Sequence, residues 1–368
     1  MKPKYRAAVI GRTGRGNYGH GLDEVWNHVP EVQLVAVADD NKQGLADSAR
    51  KLGVDQAFSD YRKMLDQVKP DVVSIGPRWL DQHHEMVLEA AGRGVHIYLE
   101  KPFCRTLKEA DSMVRACESS HVKLAIAHQT RYSPKIRVVK DLIDQGKIGD
   151  VLEFRGRGKE DRRGGGEDLW VLGTHVMDLI RNFGGDPGWC MAAVSKQGRP
   201  IQTKDVVEGN EGIGPLAGDT VHAMYGMPHA TTAYFASHRN MAARNSRFGL
   251  MIHGSRGVLW FRTGFLPRAA YLAEPSWVPD ADGPRWQEIS SGGLGVPEPL
   301  TDGGLHAGNV EAVKDLLRAI EDDRQPISSM YDARAAVEMI VAVFESQRTG
   351  RQAMFPLRNR ENPLTMLG

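Results

Sequence analysis

Cysteine is scarce in this chain: of 368 residues, only Cys104, Cys117 and Cys190 carry a thiol. They are odd in number, widely spaced, and part of no Cys-x-x-Cys or Cys/His cluster. That argues against a disulfide framework and against a zinc site, so reduced thiols and no metal are expected. Long apolar runs are also missing; nothing approaches the roughly 20 residues that cross a bilayer. The run from Tyr5 to Ile10 is too short for a signal peptide, so a cytoplasmic protein is expected. A charge excess is absent as well. Lys and Arg number 47, Asp and Glu 46, for a net charge of +1. Neither nucleic acid nor a membrane surface is therefore an expected partner. There is no internal repeat and no low-complexity tract.

The first third alternates short apolar runs with helical patterns. The runs are Ala7 to Ile10, Val32 to Ala38, Val72 to Ile75, Val95 to Leu99 and Lys123 to Ala127. Between them lie helix-like stretches at Leu45 to Leu52, Tyr61 to Gln67, Gln82 to Arg93 and Leu107 to Ser119. Strands this short and apolar belong to a parallel sheet covered on both faces, and the alternation predicts a doubly wound α/β domain. After His128 the pattern changes. Ser133-Pro134 reads as an N-cap with proline at the first helical position. Val151 to Arg157 alternates apolar and polar residues like a half-exposed strand. Gly164-Gly165-Gly166 precedes a helix expected over Asp168 to Phe183. Strand-like segments follow at Val221 to Met224, Ala230 to Ser237, Arg247 to His253 and Val258 to Arg262. The Pro- and Gly-rich stretch Leu266 to Gly304 reads as a surface excursion, and helices are expected at Asn309 to Glu321 and Ser329 to Arg348. The expectation is a Rossmann domain over 1–128 and, over 129–368, an α+β domain with a large, mostly antiparallel sheet.

Strand, glycine turn and helix are expected in that order at the N-terminus. The turn runs Gly11-Arg12-Thr13-Gly14-Arg15-Gly16. Such glycines let a backbone approach a pyrophosphate and offer N–H groups at a helix start. Counted from the strand end, Gly11 is the first glycine, Thr13 stands at the second position and Gly16 at the third; Gly14 can supply the close approach. Asp39 ends the second strand, where a carboxylate binds the adenosine ribose diol and repels a 2′-phosphate. NAD is therefore expected over NADP. Asp40 adds a second acid beside it.

At Leu99-Glu100-Lys101-Pro102 the sequence resembles the Gfo/Idh/MocA oxidoreductases, and the likeness covers nearly the whole chain. The resemblance implies Glu100 near the nicotinamide ribose, Lys101 aimed into the site by a turn at Pro102 that is often cis, and Pro77 and His83 near the nicotinamide. The second element is Gly173-Thr174-His175-Val176-Met177-Asp178, with His175 and Asp178 on one helical face. The family pattern Asp-x-Gly-x-His-x-x-Asp has an acid four residues before the histidine, where this chain has Val171. Asp168, seven residues before His175, is expected on a similar face and is the candidate replacement, with Asp161 as another. Arg131 matches a substrate-pocket position. Asp161 and Arg163, in the charged run before the triple glycine, are candidates for polyol or anion recognition, although such a run also reads as a solvated loop. Trp170 could stack on a sugar face or belong to the core. His238, at a strand end, is a further pocket candidate. The resemblance also implies homodimers or homotetramers formed through the C-terminal sheet.

Oxidising a carbinol needs a base for the hydroxyl proton and a nicotinamide acceptor. His175 is expected as the base, and Lys101 as the group that orients and polarises the oxygen. Three functions are open on sequence: an NAD-dependent sugar or cyclitol dehydrogenase; a redox-neutral NAD-dependent glycosidase or lyase; and a non-catalytic NAD-sensing protein, against which retention of Lys101 and His175 argues.

Overall fold

The structure is a computed structural model that describes residues 4–244 and 246–368. Its contacts divide it into two compact units. The first comprises Met1–Gln129, Asn210–Ile213 and Leu305–Arg334; the second comprises Thr130–Gly209, Gly214–Gly304 and Ala335–Gly368. Sequence alone assigned 210–213 and 305–334 to the second domain, whereas they pack with the first.

The first unit holds a six-stranded sheet of β1 (Tyr5–Ile10), β2 (Val32–Ala38), β3 (Gln56–Phe58), β4 (Val72–Ile75), β5 (His96–Leu99) and β6 (Leu124–Ile126). Its order is β3-β2-β1-β4-β5-β6, and every neighbouring pair is parallel. The order reverses between β1 and β4, the switch point where ligands of such sheets bind at the carboxyl ends. All four residues of β4 are buried, as a central strand covered on both faces requires. Helices α1 (Lys42–Leu52), α2 (Tyr61–Val68), α3 (His83–Ala91) and α4 (Leu107–Ser119) connect the strands. Asn41, Asp60 and Thr106 cap α1, α2 and α4 through their side chains, satisfying first-turn N–H groups. The expected helix after the glycine turn is absent. Between β1 and β2 the chain makes turns and one 3-10 segment, Val25–His28.

In the second unit, α5 (Pro134–Asp144) starts at the Ser133 cap as expected. Strand β7 (Val151–Arg157) leads to α6 (Gly166–Val171) and α7 (Gly173–Gly184). One continuous helix was expected over 168–183; it is broken at Leu172, with φ −120° and ψ −37°. The remaining strands are β8 (Trp189–Lys196), β9 (Arg199–Pro200), β10 (Val207–Glu208), β11 (Pro215–Leu216), β12 (Thr220–Gly226), β13 (Thr232–His238), β14 (Gly249–Gly254), β15 (Val258–Arg262), β16 (Ala269–Leu272), β17 (Gln287–Ser290), β18 (Gly293–Leu294) and β19 (Ala353–Met354). Strands β10 and β11 form a ribbon. The others form an eleven-stranded sheet in the order β18-β17-β16-β15-β14-β7-β13-β12-β8-β19, with β9 on β8. Only β7 and β13 pair in parallel. The stretch read as a surface excursion thus carries β16 to β18 and extends the sheet. Ala269-Ala270-Tyr271-Leu272 is buried throughout and lacks the alternation that marks a half-exposed strand.

One sheet face packs on α6 and α7. Phe154, Phe235 and Phe261 are each at most 1% exposed, and burying a side chain of this size contributes roughly 1.5–3 kcal/mol. The chain also carries helices α8 (Leu305–Glu321) and α9 (Met330–Thr349). No helix is long and apolar enough to cross a membrane among the described residues.

Candidate active site

In the first unit, the glycine turn closes as a small hairpin. Arg12 N donates to Asn17 O and Asn17 N to Arg12 O, both at 3.0 Å. Gly14 and Gly16 take φ of 86° and 90°, a region open to glycine. A Cβ on Gly16 would lie 2.3 Å from the Arg78 amide nitrogen, so the hairpin rests directly on the loop after β4.

Asp39 anchors this hairpin. It is 2% exposed, and its carboxylate accepts from Thr13 N at 3.0 Å, Thr13 Oγ1 at 2.7 Å, Tyr18 Oη at 2.9 Å and Asn41 N at 2.9 Å. The Tyr18 ring occupies the space over Gly11 that a Cβ would need. Burial, and after it the nearby Asp39 charge, push the Tyr18 phenol up and keep it a donor. Asp40 is the more available acid, with 57% of its side chain exposed beside Arg12 Nε at 3.1 Å. Gly11, Arg12, Asp39 and Asp40 line a cavity of about 180 Å³ at the ends of β1 and β2. Complete small-molecule sites run to roughly 300–1,000 Å³. This cavity, floored by glycine and edged by carboxylates, therefore suits the adenosine-ribose end of a dinucleotide rather than the whole of it.

Glu100 and Lys101 follow β5, and the Lys101–Pro102 peptide is cis. Glu100 is fully buried. It accepts from His20 N at 2.9 Å, lies 3.0 Å from His20 Nδ1, and accepts from Lys101 N at 3.0 Å. Burial alone would raise its carboxyl, but the His20 ring and amide and the Lys101 charge outweigh that and hold it below the ordinary value. Lys101 is 4% exposed. His83 is fully buried between two turns. Its Nε2 lies 2.6 Å from Pro77 O, and its Nδ1 lies 3.0 Å from Pro102 O and 3.3 Å from Phe103 O. Pro77 and His83 thus brace the Lys101 turn from behind. Sequence reasoning missed His20 and Asn309. Asn309 accepts from Tyr98 Oη at 2.7 Å and Gln129 Nε2 at 3.0 Å, and donates to His20 O at 2.8 Å. Neither residue sits in a motif, and their link spans 289 positions.

In the second unit, His175 and Asp178 lie in the first turns of α7, at 9% and 0% exposure. Arg131 Nη1 donates to Asp178 Oδ1 at 2.9 Å, a pair with side chains 9% and 1% exposed. The Phe248 ring stands edge-on to His175 at 6.4 Å.

Asp168 was the candidate replacement for the acid missing at Val171. The break at Leu172 ends the shared helical face, and the Asp168 carboxylate is engaged elsewhere: it accepts from Lys159 N, Glu160 N and Ser237 Oγ. Burial raises this carboxyl above its ordinary value, against the pull of those three donors. Asp161 and Arg163 pair with each other; Asp161 accepts from Arg163 N at 2.9 Å and Nη2 at 2.7 Å, which holds its carboxyl down to about 2. Trp170 is 1% exposed and offers no face for stacking; its indole N–H has no hydrogen-bond partner among the described residues. His238 was expected in the pocket, but strand alternation places it on the other sheet face. Its ring meets His222 at 4.9 Å, while its neighbour Ser237 reaches Asp168. Burial, then His222 and Arg157, lower the His238 imidazole.

Residues 5–128 match the family model described as "Oxidoreductase family, NAD-binding Rossmann fold", and residues 136–260 match the GFO/IDH/MocA C-terminal domain. Levoglucosan dehydrogenase of Pseudarthrobacter phenanthrenivorans is 30% identical over 61% of this chain and 64% of its own length. The scyllo-inositol 2-dehydrogenase (NAD(+)) of Bacillus subtilis is 30% identical over 42% of this chain and 45% of its own. The chain therefore spans less than two thirds of the length of these curated relatives. A solved structure of levoglucosan dehydrogenase with NADH and levoglucosan shares the fold, with a TM-score of 0.77 at 23% identity, over 95% of this chain and 99% of that one.

Proposed function

The chain belongs to the Gfo/Idh/MocA oxidoreductases, and we propose that it is an NAD-dependent dehydrogenase acting on a hydroxyl of a sugar, glycoside or cyclitol. The observation that carries this reading is the Glu100-Lys101-Pro102 turn. It presents a nearly buried lysine at the carboxyl end of a parallel sheet and is braced by His83 and His20. NAD supplies the oxidant when bound. Asp40, with Asp39 behind it, would hold the adenosine ribose, and a carboxylate there disfavours a 2′-phosphate. Lys101 orients and polarises the substrate oxygen through a charged hydrogen bond, and His175 removes its proton; imidazole is a suitable base near neutral pH. Arg131, fixed by Asp178, is the candidate to meet substrate hydroxyls.

The relatives' names support the substrate class, since they act on an anhydrosugar and a cyclitol. Val171 keeps a second reading in view, a redox-neutral glycosidase or lyase that returns the hydride, because the family's acid is missing and Asp168 is engaged elsewhere. We also infer a homodimer or homotetramer through the sheet face opposite α6 and α7. On that face Met191 and Tyr234 are each 38% exposed beside a trough of about 450 Å³. Three unpaired, buried cysteines suit a reducing compartment, and we place the protein in the cytoplasm.

The test is a panel of anhydrosugars, glycosides and cyclitols, with NADH and organic product measured together. The dehydrogenase reading expects NADH equal to product. Product without NADH favours the redox-neutral reading.

A further inference from the structure

In parallel α/β folds the pyrophosphate of a dinucleotide sits at the start of the helix after the first strand, where backbone N–H groups and the helix dipole meet it. This chain has no α-helix there. The glycine hairpin offers a reduced cradle, because most of its amides are already engaged and, among the described residues, those of Gly16 and Tyr18 are left. Thr13 N goes to Asp39, Gly14 N to Asn17 Oδ1, and Arg15 N and Asn17 N to Arg12 O. Gly19 N goes to Gly16 O, and His20 N to Glu100.

The same place holds three guanidinium groups. Arg12 follows Gly11, Arg15 lies within the hairpin, and Arg78 comes from the loop on which Gly16 rests. Each is held in position. Arg12 donates to Asp40 at 3.1 Å and Asp81 at 3.2 Å. Arg15 stacks on the Trp79 ring at 4.4 Å and lies 3.8 Å from Asp81. Arg78 lies 3.8 Å from Glu211. A guanidinium has five N–H donors, so these contacts leave most of them open. The Arg15 and Arg78 side chains are 45% and 41% exposed. Arg12 stands beside Asp40, at the edge of the ribose cavity, where the phosphates would begin.

We propose that the pyrophosphate of the dinucleotide is held by the side chains of Arg12, Arg15 and Arg78 in place of a helix N-terminus. This rests on the reading that the chain binds NAD. The planar guanidinium fork matches phosphate oxygens, and three such forks supply the charge a helix start would have given. Asp81 and Trp79 pre-set the forks, and Asp40 ties Arg12 to the ribose side. Phosphate recognition then depends on side chains, and so on salt.

The test uses the full chain and calorimetric titration with NAD, ADP and adenosine at low and high salt. Arg15→Gln and Arg78→Gln alter exposed side chains and should leave the melting temperature unchanged. Each is expected to weaken NAD and ADP by about tenfold, the worth of one charged hydrogen bond, and to leave adenosine unaffected. Arg15→Lys should recover part of the loss. Affinities for NAD and ADP within about twofold of the parent in the Arg15→Gln/Arg78→Gln double variant, where two such bonds are lost, would overturn the proposal while leaving the NAD assignment intact. A parent chain that binds neither NAD nor ADP would overturn the NAD assignment and the proposal with it.

Discussion

At the scale of single residues, two acids that the sequence sets side by side separate in role. Asp39 binds four donors of its own chain, and Asp40 faces solvent beside Arg12. Removing Asp39 leaves the buried Tyr18 hydroxyl unpaired, at roughly 1–3 kcal/mol before relaxation, and part-buried donors of Thr13 and Asn41 with it. Asp39→Ala should therefore lower the melting temperature by several degrees and weaken NAD and NADP alike. Asp40→Ala should keep the melting temperature and narrow the preference for NAD. Thermal melts with paired cofactor titrations check both; a stable Asp39→Ala that has lost only its NAD preference would reassign the ribose to Asp39. For the chemistry, Lys101→Ala and His175→Ala should each cut kcat by about 10²-fold or more with NAD binding nearly unchanged. Steady-state rates with a parallel NAD titration measure this. Asp39, Lys101 and His175 were singled out because a strand end, the Glu-Lys-Pro turn and a helical motif announce them. His20 and Asn309 were not, because their partners come from remote segments and no local pattern marks a residue that braces another.

Among elements, the triple glycine shows why composition can be read as a turn and yet misjudge the helix after it. A Cβ on Gly164 would lie 2.3 Å from the Arg239 Cα, one on Gly165 2.5 Å from the Asp219 carbonyl carbon, and one on Gly166 2.2 Å from Ala217 O. The segment threads against strand backbone and fixes where α6 starts, while the break at Leu172 ends it. Gly165 also has φ 89°, so Gly165→Ala should destabilise the protein by roughly 1–3 kcal/mol and depress turnover through α6 and α7. Denaturant melts measure the first effect and kcat the second. The stretch 266–304 was misread for a related reason: proline and glycine punctuate it, but β16 to β18 gain their strand character from pairing. Glu298 pins that stretch. Burial works against its charge, yet Ser291, the Leu300 amide and Lys135 hold its carboxyl down to about 2. A depressed carboxyl stabilises the fold above its unfolded value and loses that contribution as pH falls toward the folded value. Between about pH 4.5 and pH 2 the melting temperature should fall, and Glu298→Gln should flatten part of that fall. An identical acid limb in both proteins would remove Glu298 from the account.

For the whole molecule, the parallel sheet and the mostly antiparallel sheet followed from the period of the hydrophobic pattern, which local sequence encodes directly. The missing helix after the glycine turn did not, because a glycine-rich turn after a strand carries the same signature whether a helix or a hairpin follows. The central claim is that the chain removes a hydride from a carbinol and keeps it on the nicotinamide. The most direct measurement uses a substrate found by the panel, deuterated at the reacting carbon, with mass spectrometry of cofactor and product. The account predicts deuterium in NADH and a carbonyl product without it, in equal amounts. Deuterium returned to the organic product, with no net NADH formed, would contradict it.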